Sequence, residues 1–233
     1  MNITQAATEN RRFAELARSL EPHDWSRPTD CPAWDVRALA AHVLGMMEFT
    51  SSLREFAHVT RAGGKAAGDR PAIDGMTEVQ VAERASLSVE QLLDRLEHAA
   101  PRGARSRGRL SVPLGLMPMQ TEVGGVKETW RLRYLFDVIL TRDTWMHRID
   151  VCRATGRQPV LTADHDGVIV AGVVAEWARR HGRPYRLKLD GTAGGDFAGG
   201  QGGEEIVMDA VEFCRILSGR GSGQGLLAQA VPF

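Results

Sequence analysis

The chain has 233 residues with 29 basic and 29 acidic side chains, a formal net charge of zero that leaves no long-range field for nucleic acid or an anionic membrane. A small-molecule partner is therefore expected. No apolar run reaches the length that spans a bilayer, the start MNITQAATENRRFAEL has no export-signal core, and Cys31, Cys152 and Cys214 are scattered and odd in number. Together these predict a soluble cytoplasmic protein without a disulfide framework or a thiolate-rich zinc cluster.

In chain order, Ala7, Phe13, Leu16, Ala17 and Leu20 predict a first amphipathic helix over residues 4–20, stopped by Glu21-Pro22. The Pro-bearing loop RPTDCP precedes a longer helix expected from Trp34 to Val59, with Val36, Leu39, Ala40, Val43, Leu44 and Met47 inward. Residues 63–75 read as loop on their glycines, residues 77–100 as a third helix closed by Pro101, and residues 102–127 as a long ordered loop or a short hairpin. A fourth helix is predicted over residues 128–154, with Gly156 as its C-cap, and four such helices suit an antiparallel bundle. Past Gly156 the pattern changes to a helix over residues 164–181, period-two strands over 185–189 and 205–208, and a short helix over 209–217. A helical domain of residues 1–157 and a small α+β domain of residues 158–233 follow from this. The glycine-rich GTAGGDFAGGQGG between the strands lacks the lysine that ends a phosphate cradle and reads as a mobile hairpin loop.

On the second helix the stripe Leu39, His42, Met46 and Phe49 places His42 on an apolar face, where an imidazole needs a partner. A backbone carbonyl satisfies that need as well as a metal does. On the fourth helix Asp143, His147 and Asp150 follow one another at i, i+4 and i+7, and the i, i+4 step presents a carboxylate and an imidazole to one point, as paired helical ligands do around zinc. The competing reading is an ordinary Asp–His pair on a solvated face among Arg142, Arg148 and Arg153, although the flanking Trp145, Met146 and Ile149 argue for burial. If His42 meets that pair, two imidazoles and one carboxylate leave coordination positions open, which suits a catalytic divalent metal, zinc first, with nickel, iron and manganese also compatible. Asp150 fits an orienting carboxylate or a cap better than a ligand, with a salt bridge to Arg153 as the alternative. Cys31 precedes the second helix, close enough to His42 in sequence for a redox or ligand role to compete, but burial as a small hydrophobe is the expectation, and Cys152 and Cys214 read as packing residues. The cluster Arg102, Arg105, Arg107 and Arg109 lacks interleaved aromatics, so an anionic small molecule is a better partner for it than nucleic acid.

The run WSRPTDCPAWDVRALAAH, residues 25–42, resembles the opening signature of the mycothiol-dependent maleylpyruvate isomerase family, whose histidine at this place is a metal ligand. TRDTWMHRIDVCRATGR, residues 141–157, is similar to that family's fourth bundle helix, where a carboxylate and a histidine four residues later complete the triad. EEIVMDAVEFCRILSGR, residues 204–220, resembles its C-terminal domain more loosely and puts Arg220 near the place of an arginine implicated in activity. The resemblance implies an α+β protein, an N-terminal DinB-like four-helix bundle followed by a small α+β domain. It implies His42, Asp143 and His147 as metal ligands, Arg220 as a catalytic residue, and mycothiol as the cofactor. The implied enzyme is an isomerase or a thiol S-transferase acting on a small electrophilic substrate. One departure bears on ligand reach and metal choice: Asp143 stands where the characterised isomerase type carries glutamate, one methylene longer. A non-enzymatic metal- or ligand-binding bundle is the alternative from another class, and a metal-free interaction domain is a third.

Overall fold

Phe13, Ala14 and Ala17 lie on the inner face of α1 (Ile3–Arg18) in a computed structural model that describes residues 3–233. The next segment is two helices where one was expected. α2 (Val36–Phe49) begins where the Asp35 carboxylate accepts from the Ala38 N–H at 2.8 Å, and it ends at Thr50. α3 (Leu53–Ala67) restarts at Ser52, whose hydroxyl accepts from the Glu55 N–H at 3.1 Å. The run Thr50-Ser51-Ser52 thus supplies both a stop and a fresh cap, because short hydroxyl side chains compete with helical hydrogen bonds.

The loop expected over residues 63–75 is largely helical too, since α3 continues to Ala67 and α4 (Ala72–Ala82) starts just past Pro71. Glycine serves close approach here instead of a turn. A Cβ on Gly75 would overlap the Gly63 carbonyl oxygen, and one on Gly63 would overlap Met76, so α3 and α4 meet backbone to backbone.

α5 (Val89–Leu114), opened by a capping box of Ser88 and Gln91, runs straight through Pro101 and Pro113. The stop expected at Pro101 fails because Ala99, Ala100, Gly103, Ala104, Arg107 and Leu110 are all buried, and that burial outweighs the one backbone hydrogen bond a proline removes. A Cβ on Gly103 would stand 2.7 Å from the Met47 carbonyl oxygen of α2.

β1 (Pro118–Val123) and β2 (Val126–Arg131) pair as a hairpin whose Gly124 and Gly125 both take positive φ. The fourth expected helix starts correspondingly late. Residues 128–131 belong to β2, and helix runs from α6 (Leu132–Tyr134) through a π-turn at Leu135–Ile139 into α7 (Leu140–Thr155). Gly156 closes α7 in the left-handed conformation at φ 71°.

Two compact units result: the described residues through Glu122 together with Lys127–Gln158, and Val123–Val126 together with Pro159–Phe233. In the first, one apolar cluster joins Phe13, Leu39, Leu44, Leu92, Leu96 and Val151, and another joins Phe49, Val59, Met76, Leu110, Phe136 and Leu140. A buried ion pair, Arg148 Nε to Glu9 Oε1 at 2.6 Å, ties α7 to α1.

In the second unit, a π-turn at Ala163–Gly167 leads into α8 (Val168–His181). A three-stranded sheet of order β4-β3-β5 follows, β3 (Tyr185–Asp190) lying antiparallel to β4 (Gly195–Gly199) and parallel to β5 (Glu204–Asp209). Tyr185, Leu187 and Leu189 face inward while the residues between them face out. β4 lies inside the glycine-rich run expected as a loop, and the register sets its Phe197 opposite Leu187. α9 (Ala210–Leu217) is capped by the Asp209 carboxylate. Trp177 packs against Tyr185 and Phe213 at ring distances of 5.0 and 5.3 Å and donates from Nε1 to the Leu226 carbonyl at 2.9 Å. The fold is α+β, and no helix among the described residues is long and apolar enough to cross a membrane.

Candidate metal centre

The loop before α2 is fixed before the helix begins. The Val36 N–H donates to the Arg27 carbonyl and the Arg37 N–H to the Trp25 carbonyl, both at 3.0 Å, while the Thr29 hydroxyl donates to the Trp34 carbonyl at 2.8 Å. Beneath the loop, buried Asp24 accepts from the Glu21 N–H at 3.0 Å and from Arg157 Nη1 at 2.7 Å, linking the entry to α2 with the chain just past the Gly156 cap of α7. Burial pushes the Asp24 carboxyl up, but the Glu21 N–H and the Arg157 guanidinium outweigh it and hold the group below its usual value.

These constraints bring the three residues singled out from sequence to one place. His42 Nε2 of α2 stands 3.4 Å from Asp143 Oδ2, and His147 Nε2 stands 3.3 Å from Asp143 Oδ1, both acidic contacts coming from α7. One donor atom from each residue lies within 4.8 Å of the other two. Asp143 Oδ2 and His42 Nδ1 are buried without a hydrogen-bond partner among the described residues. A tetrahedral cation with bonds near 2.1 Å separates its nitrogen and oxygen donors by about 3.4 Å, so the spacing and the unpartnered carboxylate oxygen both fit a divalent metal. His42 is 2% exposed, whereas the Asp143 side chain keeps 16%, so solvent reaches the cluster at the carboxylate.

Each imidazole is held from behind, and differently. His147 Nδ1 lies 3.0 Å from Oδ2 of the fully buried Asp150, a pairing that fixes the ring with Nε2 facing Asp143. Asp150 thus orients His147, and Arg153 pairs with Asp30 at 3.2 Å instead of with Asp150. His42 has the indole of Trp34 stacked on it, ring centroids 4.8 Å apart and planes inclined by 30°. The sequence marked Trp34 only as a helix start; its contact with His42 needs the loop geometry. Cys31 was expected as buried packing, but it is half-buried with Sγ 3.8 Å from Asp150 Oδ2. The fixed turn between Thr29 and Trp34 carries it there.

Burial alone would raise the Asp143 carboxyl, but the two imidazoles hold it far below the usual carboxylate range. Burial alone would lower His147, but Asp143 first, then Asp150 and Cys31, hold it well above the usual imidazole value. Asp143 and His147 thus favour each other's charged forms.

A family model described as the mycothiol maleylpyruvate isomerase N-terminal domain matches residues 6–152. The chain belongs to this family. His42, Asp143 and His147 all fall inside the span that the mycothiol maleylpyruvate isomerase model matches. Among solved structures, the crystal structure titled the mycothiol-dependent maleylpyruvate isomerase aligns with a TM-score of 0.57 and 18% identity, covering 94% of this chain and 88% of that one. A histidine-to-alanine mutant of the same description aligns with a TM-score of 0.52 and 17% identity over the same shares. At such identities the likeness establishes the shared fold. No curated protein matches the chain.

Two other arginine expectations meet the structure in different ways. Arg220 follows α9 in the second unit, half-buried, its N–H donating to the Arg215 carbonyl at 2.9 Å. Of the basic cluster on α5, Arg102, Arg105 and Arg109 are exposed, whereas Arg107 is buried and donates to the Thr141 hydroxyl at 2.9 Å. Desolvation pushes the Arg107 guanidinium down to about 10, with Asp137 opposing the shift.

Proposed function

We propose that this chain is a divalent-metal-dependent, thiol-cofactor-dependent enzyme of the maleylpyruvate isomerase or thiol S-transferase type, acting on a small electrophilic substrate in the cytoplasm. Mycothiol is the thiol and zinc the metal of this reading. One observation carries it: two imidazoles and a carboxylate converge at 3.3 and 3.4 Å, and one carboxylate oxygen has no hydrogen-bond partner among the described residues. Three fixed donors leave room for exogenous ligands, the arrangement of a catalytic site as opposed to a closed structural one. Family membership supports the choice of thiol and of reaction class.

His42, Asp143 and His147 would hold the cation, which supplies Lewis acidity and favours the thiolate form of a thiol at neutral pH. The chain's own side chains prepare the place. Asp150 fixes the ring plane and the tautomer of His147, and Trp34 fixes the plane of His42. The partly exposed edge of Asp143 sets the side from which thiol and substrate approach. Cys152 and Cys214 are buried and stay out of the chemistry. The resemblance alone proposes Arg220, whose guanidinium is the type of group that pairs with a substrate carboxylate.

The test is the metal content of untagged protein by mass spectrometry, for wild type, His42→Ala and His147→Ala, followed by thiol-dependent isomerisation and transfer assays. Near-stoichiometric metal, lost in both variants, with turnover that requires thiol, is the expected result. Wild type that stays empty after incubation with zinc, nickel or manganese overturns the metalloenzyme reading. Metal without thiol-dependent turnover leaves the non-enzymatic binding bundle ahead.

A further inference from the structure

His147 faces two clusters at once. Its Nε2 belongs with Asp143 and His42, and its Nδ1 belongs with Asp150 and Cys31, where one donor atom from each of Cys31, His147 and Asp150 again lies within 4.8 Å of the others. We propose that Cys31 Sγ, His147 Nδ1 and Asp150 Oδ2 form a second cation site, selective for a thiophilic divalent ion such as zinc or cadmium.

The donor spacing fits. Bonds near 2.3 Å to sulfur and 2.1 Å to oxygen put tetrahedral sulfur and oxygen donors about 3.6 Å apart, and Cys31 Sγ stands 3.8 Å from Asp150 Oδ2. The nitrogen and oxygen stand 3.0 Å apart, so a few tenths of an ångström of opening admits the ion. One thiolate, one imidazole and one carboxylate form a set that soft and borderline cations prefer over magnesium or calcium. Access is through the half-buried Cys31, on a loop already held by the Thr29 and Trp34 hydrogen bonds. Loading releases two protons to solvent, from the Cys31 thiol and from His147 Nδ1, and forms bonds from the ion to sulfur, nitrogen and the Asp150 oxygen. With both clusters filled, the Nε2 proton leaves to solvent as well and His147 serves both sites as an imidazolate. The site shares His147 with the centre proposed above but does not require that centre to be loaded.

Cadmium titration of the metal-stripped, fully reduced full-length chain tests this, with stoichiometry by native mass spectrometry and the ultraviolet thiolate-to-cadmium charge-transfer band as readouts. Wild type is expected to bind two equivalents, one of them with the band. Cys31→Ser should bind one equivalent and lose the band, His42→Ala should keep the band, and His147→Ala should lose it. Wild type that binds one equivalent without the band, or a band that survives Cys31→Ser, overturns the second site. One equivalent with the band in wild type sustains this site and counts against the His42 centre.

Discussion

Two helix pairs of the first unit show opposite solutions to the same packing problem. α3 and α4 close until a glycine carbonyl on one leaves no room for a Cβ on the other. α2 and α7 instead face each other across His42, Asp143 and His147, which meet at 3.3 and 3.4 Å while Asp143 Oδ2 has no hydrogen-bond partner among the described residues. A bundle that can collapse to backbone contact in one place holds ionisable side chains apart in another. Asp150 and Trp34 behind the histidines, and the Asp24–Arg157 pair at the rim, keep that second arrangement from relaxing.

The comparison can be broken from either side. The largest effect is expected for Gly75→Val, which forces a side chain into the Gly63 backbone and should cost about 3 kcal/mol in denaturant unfolding. In the same pair Gly64→Ala, at an exposed helical position with nothing within 4 Å, should instead stabilise by about 0.5–1 kcal/mol. Equal losses for the two would mean that α3 and α4 do not pack through glycine. On the other side, Asp150→Asn should weaken metal binding about 10–100-fold in a chelator competition, because it removes the carboxylate that orients His147. Trp34→Ala should weaken it less, by about 2–12-fold, the range that a ring contact of about 0.5–1.5 kcal/mol supplies. If Trp34 matters more than Asp150, packing and not hydrogen bonding sets the geometry.

The smallest effect is a pH dependence. The Asp24 carboxyl is held below its unfolded value, so its contribution to stability is full above that unfolded value and is lost as pH falls through the folded one. Thermal melting of wild type should therefore decline below about pH 4, the ordinary carboxylate range, and Asp24→Asn should flatten that part of the curve at a lower overall melting temperature. An unchanged acid branch in Asp24→Asn would show that this pair does not secure the α2–α7 junction.

The His42, Asp143 and His147 cluster was more legible in the sequence than the helices that carry it. Asp143 and His147 are four residues apart on one strongly marked helix, and His42 lies on an apolar stripe, so spacing alone made them candidates. The resemblance brought His42 to the pair, since nothing local links positions a hundred residues apart. The misread helices share one cause. Gly63, Gly75, Gly103 and Pro101 are local breakers that tertiary contact turns into packing residues, and only the neighbouring helix shows why. Cys31 and Trp34 were illegible for a related reason: their positions depend on a hydrogen-bonded loop whose turn has no period.

His42 and Asp143 lie about a hundred residues apart along the chain. An unfolded chain cannot present them together without closing that whole loop, so a cation that binds the cluster binds the native state almost exclusively. Occupancy then becomes a term in folding. At a thousandfold excess over its dissociation constant such a ligand adds about 4 kcal/mol, enough for the melting temperature to report loading before any substrate is known. In a cell short of metal, the same linkage would make the unloaded protein the one that unfolds first and is degraded first.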